Sequence, residues 1–522
     1  MRDMESLDPT DWTGLRALGH RMVDDMFDHL AGLRDGPVWR PMPDEARQAL
    51  RGTLPRGPTP ADAVYEDFQR LVQPYATGNL HPRFMGWVHG GGNPIGMLAE
   101  LLAGGLNAHL GGRDHAPIEI ERQVIAWSAE MLGFPEDASG VLVTGTSIAN
   151  LIGVLVARSA HEGPSVRRDG VGGRRLVAYT SAAAHGCLPR AMEMAGLGRD
   201  ALRMIACDDQ GRMRLDALAA RVALDRARGM RPFLVVGTAG TVDIGAIDDL
   251  AALADFAADE GLWFHVDGAF GAIAALAPNL RPLLAGIERA DSVAFDFHKW
   301  AQVPYDAGCI VVRDGSRQLD TFGAEAAYLR REQRGLAGGG VWPCDLGPDL
   351  SRGFRALKVW MTLSVYGADR IGAIAQQTCD LAATLAGRVD REPALERLAP
   401  VALNIVCFRY AAGGGDLDRL NADIVADLQE AGIAAPSTTT VNGVLAIRAA
   451  IVNHRTNHAD IAILVDAVLE AGRKRVEAEP EKKVPPVIHR GQVYREASRL
   501  GDAGARGPFP AASAGTLAAV PP

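Results

Sequence analysis

Between about residues 120 and 315, short β-branched apolar runs alternate with Ala- and Leu-rich segments: RRLVAYT, LRMIAC, PFLVVGT, LWFHVD, DSVAFD and GCIVVR. These runs are apolar nearly throughout instead of alternating with polar residues. That pattern predicts strands of a sheet covered on both faces, with helices between them, and hence an α/β fold. Ligands of such sheets gather at strand ends, so the residues just after each run carry the chemical interest. Residues 9–35 place Leu15, Leu18, Met22, Met26 and Leu30 at helical spacing, with Asp8 or Thr10 as cap, and this amphipathic helix has no local partner. A Pro- and Gly-rich stretch follows it and reads as an extended arm over another surface. Residues 322–347 are a long polar, Gly-rich connection whose length suggests a functional loop or lid. The helix RGFRALKVWMTLSVYG comes next, then helical patterns near 370–390, 416–432 and 456–475 with strand-like VALNIVCFRY and GVLAIRAAI, a smaller α+β unit. The expected organisation is an N-terminal helical arm over 1–80, a large domain over 81–375, a small C-terminal domain over 376–475 and a Pro-, Ala- and Gly-rich disordered tail over 476–522.

Composition narrows the function classes. A chain of 522 residues exceeds a single compact core, and 48% hydrophobic with 22% charged residues is the balance of a folded protein. The net charge is −9 with Lys and Arg scattered, so neither a nucleic-acid groove nor a polybasic membrane patch is expected, and a small-molecule partner is favoured. Six cysteines without a C-x-x-C pair read as free thiols in a reducing compartment, and no metal site is expected. The N-terminus lacks an apolar signal region and no stretch is long enough to cross a bilayer, which together suggest a cytoplasmic protein with no membrane partner.

Four strand-end features stand out in order. In GVLVTGTSIANLIGVLVAR an apolar run meets Thr144, Gly145, Thr146 and Ser147 and then a helix. Free amides at that helix start, with the Thr146 and Ser147 hydroxyls, suit a phosphate, although Ser147 taken alone reads as an N-cap. In SAAAHGCLPRA, His185 follows a strand; an isolated histidine is usually structural. In LWFHVDGAFGA, Asp267 ends a buried-looking strand, where a carboxylate needs a partner such as a protonated pyridine nitrogen, and Ala269 is small enough to lie against a ring. Capping of the next turn is the competing role for Asp267. In DSVAFDFHKWAQVPYDAGCIVVR, Lys299 is wedged between His298 and Trp300, where burial and positive neighbours would favour the neutral amine that Schiff-base chemistry requires. A solvated lysine at a strand end is the alternative. The conjunction, in this order on an α/β pattern, is far more specific than any member.

With these residues in view, the chain resembles the group II pyridoxal 5'-phosphate (PLP)-dependent amino acid decarboxylases, the family of aromatic L-amino acid, histidine and glutamate decarboxylases. The matching segments are HPRFMGW, TGTSIANL, AAAHG, TAGTVDIGAIDD, HVDGAFG, DFHKW with PYDAG, RGFRALKVW and AIVNHRTNHADI, spanning nearly all of residues 10–475. The resemblance implies the type I aminotransferase-like PLP fold, with a mostly parallel seven-stranded sheet in the large domain. It further implies a Schiff base on Lys299, pairing of Asp267 with the cofactor ring nitrogen and stacking of His185 on the ring. Thr241, Ala269 and His298 would contact the cofactor, and Thr146 and Ser147 would hold its phosphate. Family members are homodimers with interlocked N-terminal helices and shared active sites, which would give the helix at 9–35 its partner.

The implied reaction is decarboxylation of an L-amino acid to the amine and CO2. Two departures leave parts of it open. The family's mobile loop supplies a tyrosine that returns a proton to the substrate carbon, yet no tyrosine stands between Tyr328 and Tyr366, and gapless counting reaches Pro343 beside Trp342. Tyr328 from a differently folded loop, or His185, would then be the acid. Replacement of that tyrosine in the family diverts the reaction to an aldehyde by oxidative deamination, so this is the main alternative outcome. A catalytically silent binding or regulatory protein is a further alternative, opposed by retention of Asp267 and Lys299. The segment HPRFMGWVHGGG carries Trp87, His89 and Gly90 where aromatic decarboxylases have a Tyr-Phe-Pro-Thr run. Trp87, His89 and Tyr328 are thus the candidate substrate-pocket residues, for an aromatic or otherwise bulky side chain.

Overall fold

Every apolar run singled out above becomes a strand or most of one. In the computed structural model, which describes residues 6–323 and 332–478, the strands are β1 Phe84–Met85, β2 Ser139–Val143, β3 Leu176–Ser181, β4 Leu202–Ile205, β5 Arg231–Thr238, β6 Trp263–Asp267, β7 Ser292–Asp296, β8 Gly308–Val312, β9 Leu395–Arg397, β10 Ile405–Tyr410, β11 Ala435–Val441 and β12 Val444–Ala450. Seven form one sheet in the order β2-β8-β7-β6-β5-β3-β4. All its neighbours are parallel except that β8 runs antiparallel to both β2 and β7. A single reversed strand between two others leaves β2 pointing the same way as the parallel set.

Coverage of both faces accounts for the unbroken apolar runs. Val177, Val235, Val266 and Val293 pack with helices Ala116–Leu132, Leu215–Ala227 and Leu250–Glu260 on one side. Their chain neighbours Leu176, Ala178, Leu234, Val236 and Ala294 face helices Thr146–Glu162 and Cys187–Met194 on the other. Successive side chains of a strand point to opposite faces, so both sets must be apolar. The expected mostly parallel seven-stranded sheet is therefore the one observed.

The second sheet has the order β1-β11-β12-β10-β9, antiparallel apart from the β1–β11 pair. Helices Ala368–Val389, Leu417–Glu430 and His458–Ala478 pack on it through Leu381, Leu385, Ile424, Leu428, Leu464 and Val468. Its first strand comes from far upstream, inside HPRFMGW. The last helix continues to Ala478, and near its end Arg475 pairs with Asp427 at 2.5 Å and Asp423 at 2.9 Å. The predicted disordered tail otherwise lies outside the described residues.

The amphipathic helix near the start spans Trp12–Ala31, and its cap is Asp11 rather than Asp8 or Thr10. The Asp11 carboxylate accepts the amides of Thr13 and Gly14, reaching the first-turn donors that more distant side chains miss. None of its residues is buried within this chain.

One buried ion pair ties the front of the sheet together. Glu121 and Arg352 are both almost fully buried and bonded to each other, and Arg352 also donates to the carbonyls of Leu110 at 2.8 Å and Leu142 at 2.6 Å. Glu121 in turn accepts the Leu142 amide at 3.1 Å. Removing one member leaves the other charge without compensation, a loss of about 3–5 kcal/mol. Glu121→Ala is therefore expected to lower the urea midpoint of unfolding strongly, and a midpoint equal to wild type would contradict this role.

Candidate active site

Because β8 alone is reversed, the C-terminal ends of β2, β3, β5, β6 and β7 open on one edge together with the start of β8. Each strand-end residue singled out from the sequence is delivered to that edge. After β2 the chain turns at Gly145, and helix Thr146–Glu162 begins at once. Ser147 is exposed, whereas the Thr146 hydroxyl is buried and has no hydrogen-bond partner. A side chain at Gly308 would come within 2.4 Å of the Gly145 Cα, so only glycine lets the start of β8 pass this turn.

The end of β7 reaches across that gap. The Asp296 carboxylate accepts the Thr146 amide at 2.7 Å through Oδ1 and holds the Lys299 Nζ at 2.8 Å through Oδ2. Positive neighbours were expected around this amine, and the structure corrects that expectation. Its partner is an anion, and burial pulls the pKa of the adjacent His298 down, favouring the neutral imidazole. His298 Nδ1 accepts the Ala307 amide at 3.0 Å, which fixes the ring against the start of β8.

Asp267, at the end of β6, is 2% exposed. Its Oδ2 accepts from Asn150 Nδ2 at 3.0 Å and its Oδ1 from the Ala269 amide at 3.1 Å. Burial raises its pKa; the Lys299 charge, these two donors and His185 oppose the rise. Lys299 and Asp267 thus act on each other from neighbouring strand ends. Ala269 is half-buried, and its carbonyl accepts the Asp296 amide at 3.0 Å, joining the two ends. Thr241, after β5, is buried, and its Oγ1 accepts the Ala246 amide at 3.0 Å, closing the turn of TAGTVDIGA. His185, after β3, is exposed, and its Nδ1 accepts the Cys187 amide at 3.2 Å.

The pocket candidates approach from the second sheet. Trp87 is 53% exposed and its ring lies 5.8 Å from that of His89. His89 then meets Tyr305 edge-on at 6.1 Å, and Tyr305 lies 4.3 Å from His298. Burial, with the Lys299 charge second, lowers the pKa of His89 and favours its neutral form. Tyr328 lies outside the described residues. Trp342, beside the position where the family tyrosine would align, is buried under the Arg113 guanidinium at 4.7 Å.

Asp296, Asn150, Tyr305 and Arg448 were not singled out from sequence. Asp296 and Tyr305 stand inside the quoted lysine segment, and Asn150 lies one turn beyond Thr146, so helical spacing was the available signal. Buried Arg448 donates to the carbonyls of Asp243 at 3.1 Å and Trp87 at 3.1 Å, tying the TAGTVD turn to HPRFMGW. Among the described residues no cluster of His, Cys, Asp and Glu is arranged to hold a metal, and no helix is long and apolar enough to cross a membrane. Cys187, Cys207, Cys309, Cys379 and Cys407 are free thiols.

These groups match the chemistry of PLP: an amine for its aldehyde, a buried carboxylate for its ring nitrogen, and an unpartnered buried hydroxyl beside a helix start for its phosphate. Residues 43–411 match the family model described as the pyridoxal-dependent decarboxylase conserved domain. An aromatic-L-amino-acid decarboxylase of Bacillus atrophaeus is 33% identical over 455 residues, 85% of this chain and 92% of that protein. A phenylacetaldehyde synthase of Arabidopsis thaliana is 28% identical over 85% of this chain and 93% of its own length. The crystal structure of Oryza sativa TDC with PLP and tryptamine superposes with a TM-score of 0.83 at 26% identity, covering 90% of this chain and all of the other. The chain therefore belongs to the pyridoxal-dependent decarboxylase family and is a PLP-dependent amino acid decarboxylase.

Proposed function

We propose that the substrate is an aromatic L-amino acid and that the strand-end cluster is the site of its decarboxylation. The observation that carries this reading is the mutual placement of Lys299, Asp267 and Thr146 on one sheet edge, with the aromatic track Trp87–His89–Tyr305 leading to it. Relatives named for aromatic amino acids support the substrate class. PLP, when bound, supplies the electron sink that accepts the pair left by the departing carboxylate. Lys299 is the residue that holds it covalently, Thr146 and Ser147 bind its phosphate, and Thr241 and His298 make further contacts. Asp267 would hold a proton at the ring nitrogen, and His185 and Ala269 would contact the ring. Trp87 and His89 orient the substrate side chain and exclude water, and His185 returns a proton to Cα.

Two wider readings accompany this. A homodimer is supported by the exposed Trp12, Leu15 and Phe27 on the N-terminal helix and Val64 and Phe68 on the helix Ala61–Leu71, large apolar residues that a second copy would cover. A cytoplasmic setting is supported by the free thiols of Cys187, Cys207, Cys309, Cys379 and Cys407.

A second reaction outcome is favoured by one observation, the absence of tyrosine between Tyr328 and Tyr366, together with the likeness to an aldehyde synthase. Amino acid, O2 and water would then yield aldehyde, CO2, ammonia and hydrogen peroxide. Incubation of PLP-loaded protein with L-Trp, L-Tyr, L-Phe and aliphatic L-amino acids in air separates the readings. Amine without peroxide from the aromatic members is the expected result; aldehyde with equimolar peroxide would assign the oxidative route, and turnover of aliphatic members alone would overturn the substrate class. Lys299→Ala is expected to lose both turnover and the visible absorbance of lysine-linked cofactor, and retained wild-type turnover would remove Lys299 from this role. Trp87→Ala is expected to lower kcat/KM for the aromatic substrate roughly tenfold or more, mainly through KM, as loss of one pocket wall does.

A further inference from the structure

Behind Asp267, away from the strand-end cluster, a line of buried polar groups crosses the interior. Asn150 Oδ1 lies 2.8 Å from His265 Nε2, His265 Nδ1 lies 2.7 Å from Ser292 Oγ, and Trp263 Nε1 donates to the same Oγ at 2.9 Å. His265 and Ser292 are fully buried, and burial lowers the histidine pKa to about 3, so the ring is neutral and carries one proton.

The direction of every bond in this line is determined by its ends. Asn150 commits its amide hydrogens to Asp267 Oδ2 at 3.0 Å and Cys187 Sγ at 3.2 Å, which leaves Oδ1 as an acceptor. His265 must then carry its proton on Nε2, and Nδ1 must accept from the Ser292 hydroxyl. The serine oxygen, having given its hydrogen, accepts from the Trp263 indole, which can only donate. All four donors point toward Asp267. A chain of aligned hydrogen bonds polarises itself, and this one converges on a carboxylate with almost no access to water. The fold makes room for it deliberately: a side chain at Gly153 would meet the His265 ring at 2.7 Å, so the helix carrying Asn150 can lie on the imidazole only with glycine there.

We infer that Trp263, Ser292, His265 and Asn150 form a one-way hydrogen-bond relay that holds Asp267 ionised and oriented, making them positioning residues that set how firmly the cofactor ring nitrogen stays protonated. The inference rests on the proposed pairing of Asp267 with that nitrogen. Ser292 is the link between the two halves of the line: Asn150 sets the His265 tautomer, and the Ser292 hydroxyl donates to His265 Nδ1 while its oxygen accepts from Trp263. Without that hydroxyl His265 Nδ1 loses its donor and the aligned chain is cut at the imidazole, so the Nε2–H bond to Asn150, and through it the Asn150 bond to Asp267, is less polarised. The other groups facing Asp267 are the Ala269 amide, His185, Lys299 and the Cys187 thiol, which also accepts from Asn150.

The test is 15N NMR of holoenzyme reconstituted with PLP labelled at the ring nitrogen, followed across pH in wild type, Asp267→Ala, Ser292→Ala, Ser292→Thr and Trp263→Phe. Wild type is expected to show a protonated nitrogen and Asp267→Ala a deprotonated one. Ser292→Ala should move the protonation equilibrium about tenfold toward the deprotonated form, Ser292→Thr should restore it by returning a hydroxyl, and Trp263→Phe should fall between. Ser292→Ala with the wild-type shift at every pH overturns the relay while leaving the Asp267 pairing intact. A nitrogen that stays protonated in Asp267→Ala overturns the pairing itself and the relay with it. If Ser292→Ala fails to load cofactor, Trp263→Phe carries the same decision, because loss of the first donor must shift the equilibrium in the same direction.

Discussion

An ionised carboxylate sealed from water at the end of a covered strand costs several kcal/mol unless neighbouring groups compensate it. Burial raises the pKa of Asp267, and the groups that oppose the rise organise what surrounds it. The Ala269 amide turns the chain back over it, Asn150 brings in the helix Thr146–Glu162, and Lys299 supplies opposite charge from the neighbouring strand. The helix that delivers Asn150 also begins at the small-residue turn after β2. Stabilising one buried charge therefore places the helix start at the same sheet edge as the amine.

Much of this arrangement was legible in the amino-acid order. Strands covered on both faces must be apolar at successive positions, so β2 to β8 could be read directly, and Lys299, Asp267 and His185 stood out as ionisable groups following them. Asp296 did not, because its meaning depends on which strands are neighbours. It ends β7 and caps a helix that follows β2, and that relation exists only once β8 is inserted between the two. Asn150 reads locally as an ordinary helix residue, and only the approach of β6 reveals its bonds. β11 escaped notice because its half-exposed Thr-rich sequence lacks the apolar run of a covered strand. The cap of the first helix was misplaced by one to three residues, since Thr10, Asp8 and Asp11 are equivalent in composition and differ only in reach.

The two sheets meet at the chemistry through main-chain recognition. Arg448 on β12 spends its donors on carbonyls of two loops, one after β5 and one following β1. A planar fork with several fixed donors is suited to joining separate backbone segments. The candidate substrate wall, Trp87 and His89, is by this means referenced to the same frame as Thr241 and not left on a free loop.

The passage of Gly308 against Gly145 brings the turn after β2 and the strand leading back from the lysine loop into bare backbone contact. No rotamer lies between them that could relax, so the distance from the helix start to the start of β8 is set by covalent geometry and sheet register. Such a contact behaves as a fixed gauge: the helix start and the start of β8 keep one separation whatever rotamers the side chains along the rest of the edge adopt.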